Sequence, residues 1–188
     1  MRTSHPNCLP YRWRVVALLV TAILTAGCPR VLYLNYQPST PIKGSGTIQV
    51  DPFLYAGHPT SLMKQKELES IARDPEALYL SQDISIFFTN ALKAELTFGG
   101  YNVQPASARI VSGTIEHFLL DYVGANDQRF QIRATFNVAR KDDPIFTTSC
   151  RSERQQLKDW MRSGLLIERG IKDCIEKFMT QAQPAGAL

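Results

Sequence analysis

The side chains with chemical reach are few in these 188 residues, which hold four cysteines and three histidines. Cys28 follows Thr25, Ala26 and Gly27 directly, so its thiol ends a run of small residues. Cys150 and Cys174 lie far downstream. In an oxidising compartment such a pair points to a disulfide, worth about 3 kcal/mol for a loop of this length. The other reading of the pair is two buried thiols acting as small hydrophobes. His58 lies in a turn and His117 in a strand-like stretch, and neither has a Cys, Asp or Glu at metal-ligand spacing. HExxH, CxxC and glycine-rich phosphate loops are absent from the sequence. A serine with His117 and Asp121 can be drawn as a triad, but so can one in any chain of this size. Without a base paired to a nucleophile, no catalytic residue, cofactor or metal is assigned, and a hydrolase is the least favoured class.

The stretch before Cys28 gives that thiol its setting. Arg12 and Arg14 precede the apolar run from Val15 to Leu24, and small residues follow. Basic, apolar and small-residue regions in that order form a secretory signal, and ten apolar residues are half of the about 20 that a spanning helix needs. Leu24-Thr25-Ala26-Gly27-Cys28 resembles the lipobox of bacterial lipoproteins. The resemblance implies cleavage before Cys28, acyl chains, palmitate among them, on its sulfur and new amino terminus, and attachment to the membrane through them. An ordinary secreted protein in which Cys28 happens to follow Gly27 is the other reading. Pro29 stands where an aspartate would retain some lipoproteins in the inner membrane. By analogy with the family, this favours the periplasmic face of the outer membrane in a Gram-negative envelope.

Removing the signal alters the charge argument. Lys and Arg number 21 against 17 Asp and Glu, but Arg2, Arg12 and Arg14 leave with residues 1–27, so 18 oppose 17. A nearly neutral domain gives no support for nucleic-acid binding. About 160 residues remain, enough for one domain with a real core.

Residues 28–45 carry Pro38, Pro41, Gly44 and Ser45 and read as a flexible tether behind the anchor. Residues 46–180 read as one periplasmic domain, and 181–188 as a disordered tail. Gly46 to Leu54 reads as a strand and Ser61 to Arg73 as a weak helix. Ser81 is the candidate N-cap of a stronger helix whose stripe is Ile84, Phe87, Phe88, Ala91, Leu92 and Leu96, stopped at Gly99-Gly100. Tyr101–Val103, Arg109–Tyr122, Phe130–Val138 and Ile145–Cys150 read as strands in an antiparallel meander, with Gly113 marking a bend or a close backbone approach. A polar connection over Arg151–Arg162 leads to a last helix whose face is Ile167, Ile171, Cys174, Ile175 and Phe178. Glu168 with Lys172 and Asp173 with Lys177 are expected as pairs on its wet side. Trp160 and Met161 in that connection either cover the core or offer an exposed anchor to a partner. The sum is an α+β two-layer sandwich: an antiparallel-rich sheet of four or five strands with two amphipathic helices on one face.

The order of these elements, with ISIFFTNALKAELTFGGYNV and RIVSGTIEHFLLDY as the most telling tracts, resembles small α+β envelope lipoproteins. These include the YajG-like lipoproteins and the auxiliary lipoprotein subunits of ABC-type lipid transporters. The resemblance implies a non-enzymatic, lipid-anchored adaptor or accessory subunit of an envelope transport or assembly complex. The alternative is a small lipid- or peptidoglycan-binding module. Partner identity and oligomeric state are not encoded in any motif found here.

Overall fold

Phe130, Ile132, Ala134, Phe136 and Val138 alternate with polar residues, and the strand they define lies between the two other long strands of the sheet. The structure, a computed structural model, describes residues 30–57, 65–68, 78–123, 126–141, 143–157, 159 and 162–188. In chain order the elements are β1 (Arg30–Leu32), β2 (Thr47–Val50), β3 (Leu54–Tyr55), β4 (Leu78–Leu80), α1 (Ile84–Phe98), β5 (Asn102–Val103), β6 (Arg109–Val123), β7 (Asp127–Arg140), β8 (Asp143–Leu157) and α2 (Ser163–Ala182).

The main sheet has six strands in the order β5-β2-β6-β7-β8, with β3 also paired to β6. The expected meander is β6-β7-β8, antiparallel throughout, with bulges at Glu116 and Ile145 where one residue is left out of register. The strand count exceeds the expected four or five because the single strand expected over Gly46–Leu54 is two, β2 and β3, both paired parallel to β6, while the expected Tyr101–Val103 strand is β5, paired parallel to β2 and not part of the meander. A two-residue strand such as β3 is too brief for a periodicity of its own to register. β1 and β4 form a separate parallel pair.

Both helices cover the buried face of this sheet. Phe136 of β7 stacks on Phe178 of α2 with ring centroids 4.3 Å apart, and on its other side meets Phe53 and Phe88 at 5.3 and 5.9 Å. A second aromatic pair, Phe118 and Phe130 at 5.0 Å, fills the other end of the layer. Every apolar position expected on the two helical stripes is buried. The N-cap of α1 lies two residues after its candidate: Asp83, extended at φ −62° and ψ 138°, holds the position in place of Ser81. Its end is as expected, because Gly100 takes φ +100°, a conformation that costs glycine little.

The polar stretch after Cys150 is strand, not connection: β8 runs on to Leu157, pairing with β7 as far as Asp127. It lies at the sheet edge with its outer face in water, so apolar alternation is not required there. Only Cys150 and Ser152 are buried in it. Most of the expected helix over residues 61–73 lies outside the described residues. The part inside, 65–68, runs beside β4, with Leu68 N donating to Leu78 O at 2.9 Å and Leu80 N to Lys66 O at 2.7 Å. The expected tail is instead folded back: Gly186 turns the chain at φ +68°, Ala187 N donates to Ala182 O at 2.9 Å, and Ala187 and Leu188 are buried.

Candidate functional site

The segment expected to be a loose tether is a strap laid along both helices. From Val31 to Gly44 it is extended, with its even-numbered residues inward, and Leu34, Tyr36 and Ile42 pack against the core. On the α1 side, Ser81 N donates to Leu32 O at 3.0 Å. The rings of Tyr36 and Phe87 then meet edge to face at 6.2 Å, and Gly44 N donates to Gly99 O at 2.9 Å. Along α2 the partners advance in the same direction. Asn35 N donates to Glu168 Oε1 at 2.7 Å, Lys172 Nζ to Ser39 Oγ at 2.5 Å, and Gln183 Nε2 to Lys43 O at 2.5 Å. The strap and both helices therefore run parallel, with the strap in the groove between them.

Glu95 is the clasp. Its side chain leaves α1 on the buried face, with no exposed surface. The Tyr36 hydroxyl donates to Oε1 at 2.7 Å, while the backbone amides of Ser39 and Thr40 donate to Oε2 at 3.1 and 2.8 Å. A buried carboxylate costs several kcal/mol unless its oxygens are satisfied, and here the strap satisfies both. The same environment acts on the phenol. Burial first, then the hydrogen bond and negative charge of Glu95, raise the Tyr36 pKa far above its ordinary value. Glu168 is raised as well, because burial outweighs the help of the Asn35 amide.

The disulfide reading of the cysteine pair holds. Cys150 near the middle of β8 is bonded to Cys174 on the core face of α2, with Cα atoms 5.3 Å apart, within the usual disulfide range. Around it, Asp173 accepts from Ser152 Oγ at 2.6 Å and Arg154 at 2.8 Å, and pairs with Lys177 at 3.1 Å. The expected Glu168–Lys172 pair is replaced. Lys172 pairs with Glu176 at 3.6 Å, because Glu168 is engaged by the strap. Asp121, named above only as a member of a drawn triad, is buried and pairs with Arg129 at 3.5 Å. His117 is exposed beside the β6 bulge. Cys28, His58, Trp160 and Met161 lie outside the described residues. Among the described residues, no three His, Cys, Asp or Glu are grouped to hold a metal ion.

Two open clefts lie at the end of the domain where α1 stops. One, of about 450 Å³, is lined by Thr47, Ser107, Arg109 and Arg140, and the other, of about 500 Å³, by Lys93, Phe98 and Val103. Arg109 and Arg140 face each other directly across β6 and β7. Among the described residues these clefts bring no nucleophile to a base.

No family model and no curated protein matches the sequence. Solved structures do match the fold. A Xanthomonas campestris protein carrying the family label DUF330 is 11% identical, with a TM-score of 0.65 over 83% of this chain and 96% of that one. A second, described only as an uncharacterized protein, is 12% identical with a TM-score of 0.56 over 82% and 99%. A minor lipoprotein from Acinetobacter baumannii, 11% identical over 73% and 92%, is more distant at a TM-score of 0.43. The class established here is a fold: an α+β sandwich shared with the first two of these proteins across nearly their whole length.

Proposed function

We propose that residues 1–27 are an export signal and that the mature chain is a lipoprotein held by acyl chains on Cys28. It sits on the periplasmic face of the outer membrane and serves, without catalysis, as an adaptor or accessory subunit of an envelope transport or assembly complex. The observation that carries the reading is the strap. The lipobox cysteine stands two residues before β1, and the chain that follows it is tied to both helices, not left as a loose leash. An anchor on a fixed mount suits a subunit that must meet a partner at a set height and orientation. A small lipid-binding module is less well supported, because Phe53, Phe88, Phe136 and Phe178 fill the layer between helices and sheet where an acyl chain would lie.

The test is intact mass spectrometry of protein extracted from membranes, wild type against Cys28→Ser, followed by crosslinking in cells and affinity purification. A chain starting at residue 28 with added acyl mass, enriching envelope proteins that Cys28→Ser does not, is the expected result. An unmodified soluble chain would remove the anchor, and an acylated chain that enriches no envelope protein would remove the adaptor role.

A further inference from the structure

The strap fixes which end of the domain lies next to Cys28. It runs in the direction of both helices, so β1 sits where α1 and α2 begin. Ser81 N, just before α1, donates to Leu32 O. At the start of α2, a side chain on Gly164 would begin 3.3 Å from Leu34 Cδ2 and 3.6 Å from Tyr33 O. The same end receives the last residues of β8, because Gln156 Nε2 donates to Arg162 O at 3.1 Å. Cys28 is two residues from Arg30, so at about 3.5 Å per extended residue its acyl chains enter the membrane within roughly 7 Å of this end. A free tether of the kind expected for residues 28–45 would instead have allowed a root-mean-square reach of about 20–25 Å.

This end also exposes apolar side chains. Tyr33 is 81% exposed, Leu157 74% and Leu165 49%, and Val31 on β1 and Ile86 in the first turn of α1 are exposed as well. Charges of both signs lie on the same elements: Arg30 on β1, Asp83 at the N-cap of α1, Arg162 paired with Asp159 at the start of α2, and Lys66 and Glu67 beside β4. Tyrosine and leucine with a mixed charged rim fit the boundary between lipid headgroups and acyl chains, where an aromatic ring can be apolar on one side and wet on the other. The opposite end, with the Arg109 and Arg140 cleft, lies about 30 Å away along the 20 residues of α2.

We propose that this end is a membrane-seating surface. Tyr33, Leu157 and Leu165 enter the leaflet that holds the acyl chains, so that the domain stands with its helix axes directed away from the bilayer and the arginine cleft presented to the periplasm. The inference rests on the lipid-anchor reading and adds an orientation to it.

Its test uses the acylated protein reconstituted into phosphatidylethanolamine–phosphatidylglycerol vesicles. The disulfide occupies Cys150 and Cys174, acylation occupies Cys28, and Cys8 leaves with the signal, so one introduced cysteine is the only free thiol. Nitroxide labels are placed through Tyr33→Cys or Leu165→Cys and, at the opposite end, Phe98→Cys or Ile145→Cys. These positions are exposed, and circular dichroism checks each variant for wild-type structure. The expected result is collision with oxygen several-fold above collision with a nickel chelate at positions 33 and 165, and the reverse at 98 and 145. If the protein floats with the vesicles but positions 33 and 165 meet nickel as freely as 98, the anchor stands and the seating surface is refuted. Shielding of 33 and 165 from both quenchers, as a second copy of this chain would give, refutes it too. Failure to float, with no acyl mass on Cys28, refutes the anchor and the orientation together.

Discussion

The hydroxyl of Tyr36 donates to Glu95 Oε1 at 2.7 Å, joining residues 59 apart in sequence and closing the strap over α1. Glu95 has no exposed surface, and its other oxygen is held by the amides of Ser39 and Thr40. The contact thus does two jobs. It satisfies an acid that would otherwise be buried unpaired, and it makes the fourteen residues from Val31 to Gly44 part of the domain and not a leash.

Replacing the acid should therefore release the strap. Glu95→Ala leaves the Tyr36 hydroxyl and two amides without their acceptor, and should cost about 3–5 kcal/mol in urea unfolding. Tyr36→Phe removes one donor and leaves two, so about 1–2 kcal/mol is expected. Hydrogen exchange should show the amides of Ser39 and Thr40 losing protection first in Glu95→Ala. Equal costs for the two substitutions would show that Glu95 does not act through the backbone of the strap.

Reduction of the disulfide should loosen the sheet edge. The Cys150–Cys174 bond spans 24 residues and ties β8 to α2, and closing a loop of that length stabilises by about 3 kcal/mol in the chain-entropy account. A Cys150→Ala, Cys174→Ala protein should unfold at lower urea by that amount. Wild-type protein under reducing conditions should show the same shift. A midpoint indifferent to dithiothreitol would mean that the bond contributes nothing to the folded domain.

Where a pattern repeats for four or five turns or pleats, the sequence is transparent. The stripes of both helices and the alternation in β7 are what the structure shows, because each borders a continuous apolar layer. The strap was hidden by its chemistry. Leu32, Leu34, Tyr36, Pro38, Thr40 and Ile42 do alternate with outward residues, but a proline and a threonine in the series, and Pro41 between them and Ile42, look like a linker. Glu95 was legible in another way. It falls three and four residues after Leu92 and Ala91, on the buried stripe of α1, and a charge there asks for a partner. That partner comes from a distant segment, which no local pattern can name. The end of β8 is opaque for the opposite reason: only Cys150 and Ser152 of the strand are buried and α2 meets the rest through polar groups, so beyond Cys150 the chain has little apolar signal to give.

Two glycines mark places where backbones or rings come closest. A Cβ on Gly113 would overlap the carbonyl oxygen of Thr135 on β7 and stand 2.5 Å from Phe53 Cε1. On Gly170 it would stand 2.6 Å from Phe130 Cε1, where α2 presses on the sheet. Gly113→Ala should destabilise by about 2–3 kcal/mol, since a strand ladder must part. Gly170→Ala should cost less, about 1 kcal/mol, because a ring can shift and alanine recovers helix propensity. Denaturant midpoints test the order, and a Gly113→Ala protein as stable as wild type would contradict the close approach of β6 to β7.

The acids of α2 should give the domain a pH dependence with two opposing parts. At Asp173 burial raises the pKa, but Ser152, Lys177 and Arg154 together outweigh it, so the folded value lies below the ordinary 3.8. A depressed carboxyl stabilises the fold fully above the ordinary value and ceases to do so as pH falls through the folded one. Glu168 is the reverse: burial holds its folded pKa above the ordinary 4.5, so the fold favours the protonated acid. Its penalty is absent below that value and grows as pH rises through it. Asp173→Asn should thus be less stable than wild type at pH 7, with the gap narrowing below about pH 4. Glu168→Gln keeps an acceptor for the Asn35 amide while losing the charge, so it should gain on wild type as pH rises from about 4 to 7. Urea midpoints of the three proteins across that range decide it. A Glu168→Gln difference that stays flat with pH would mean that the strap does not bury this acid in solution.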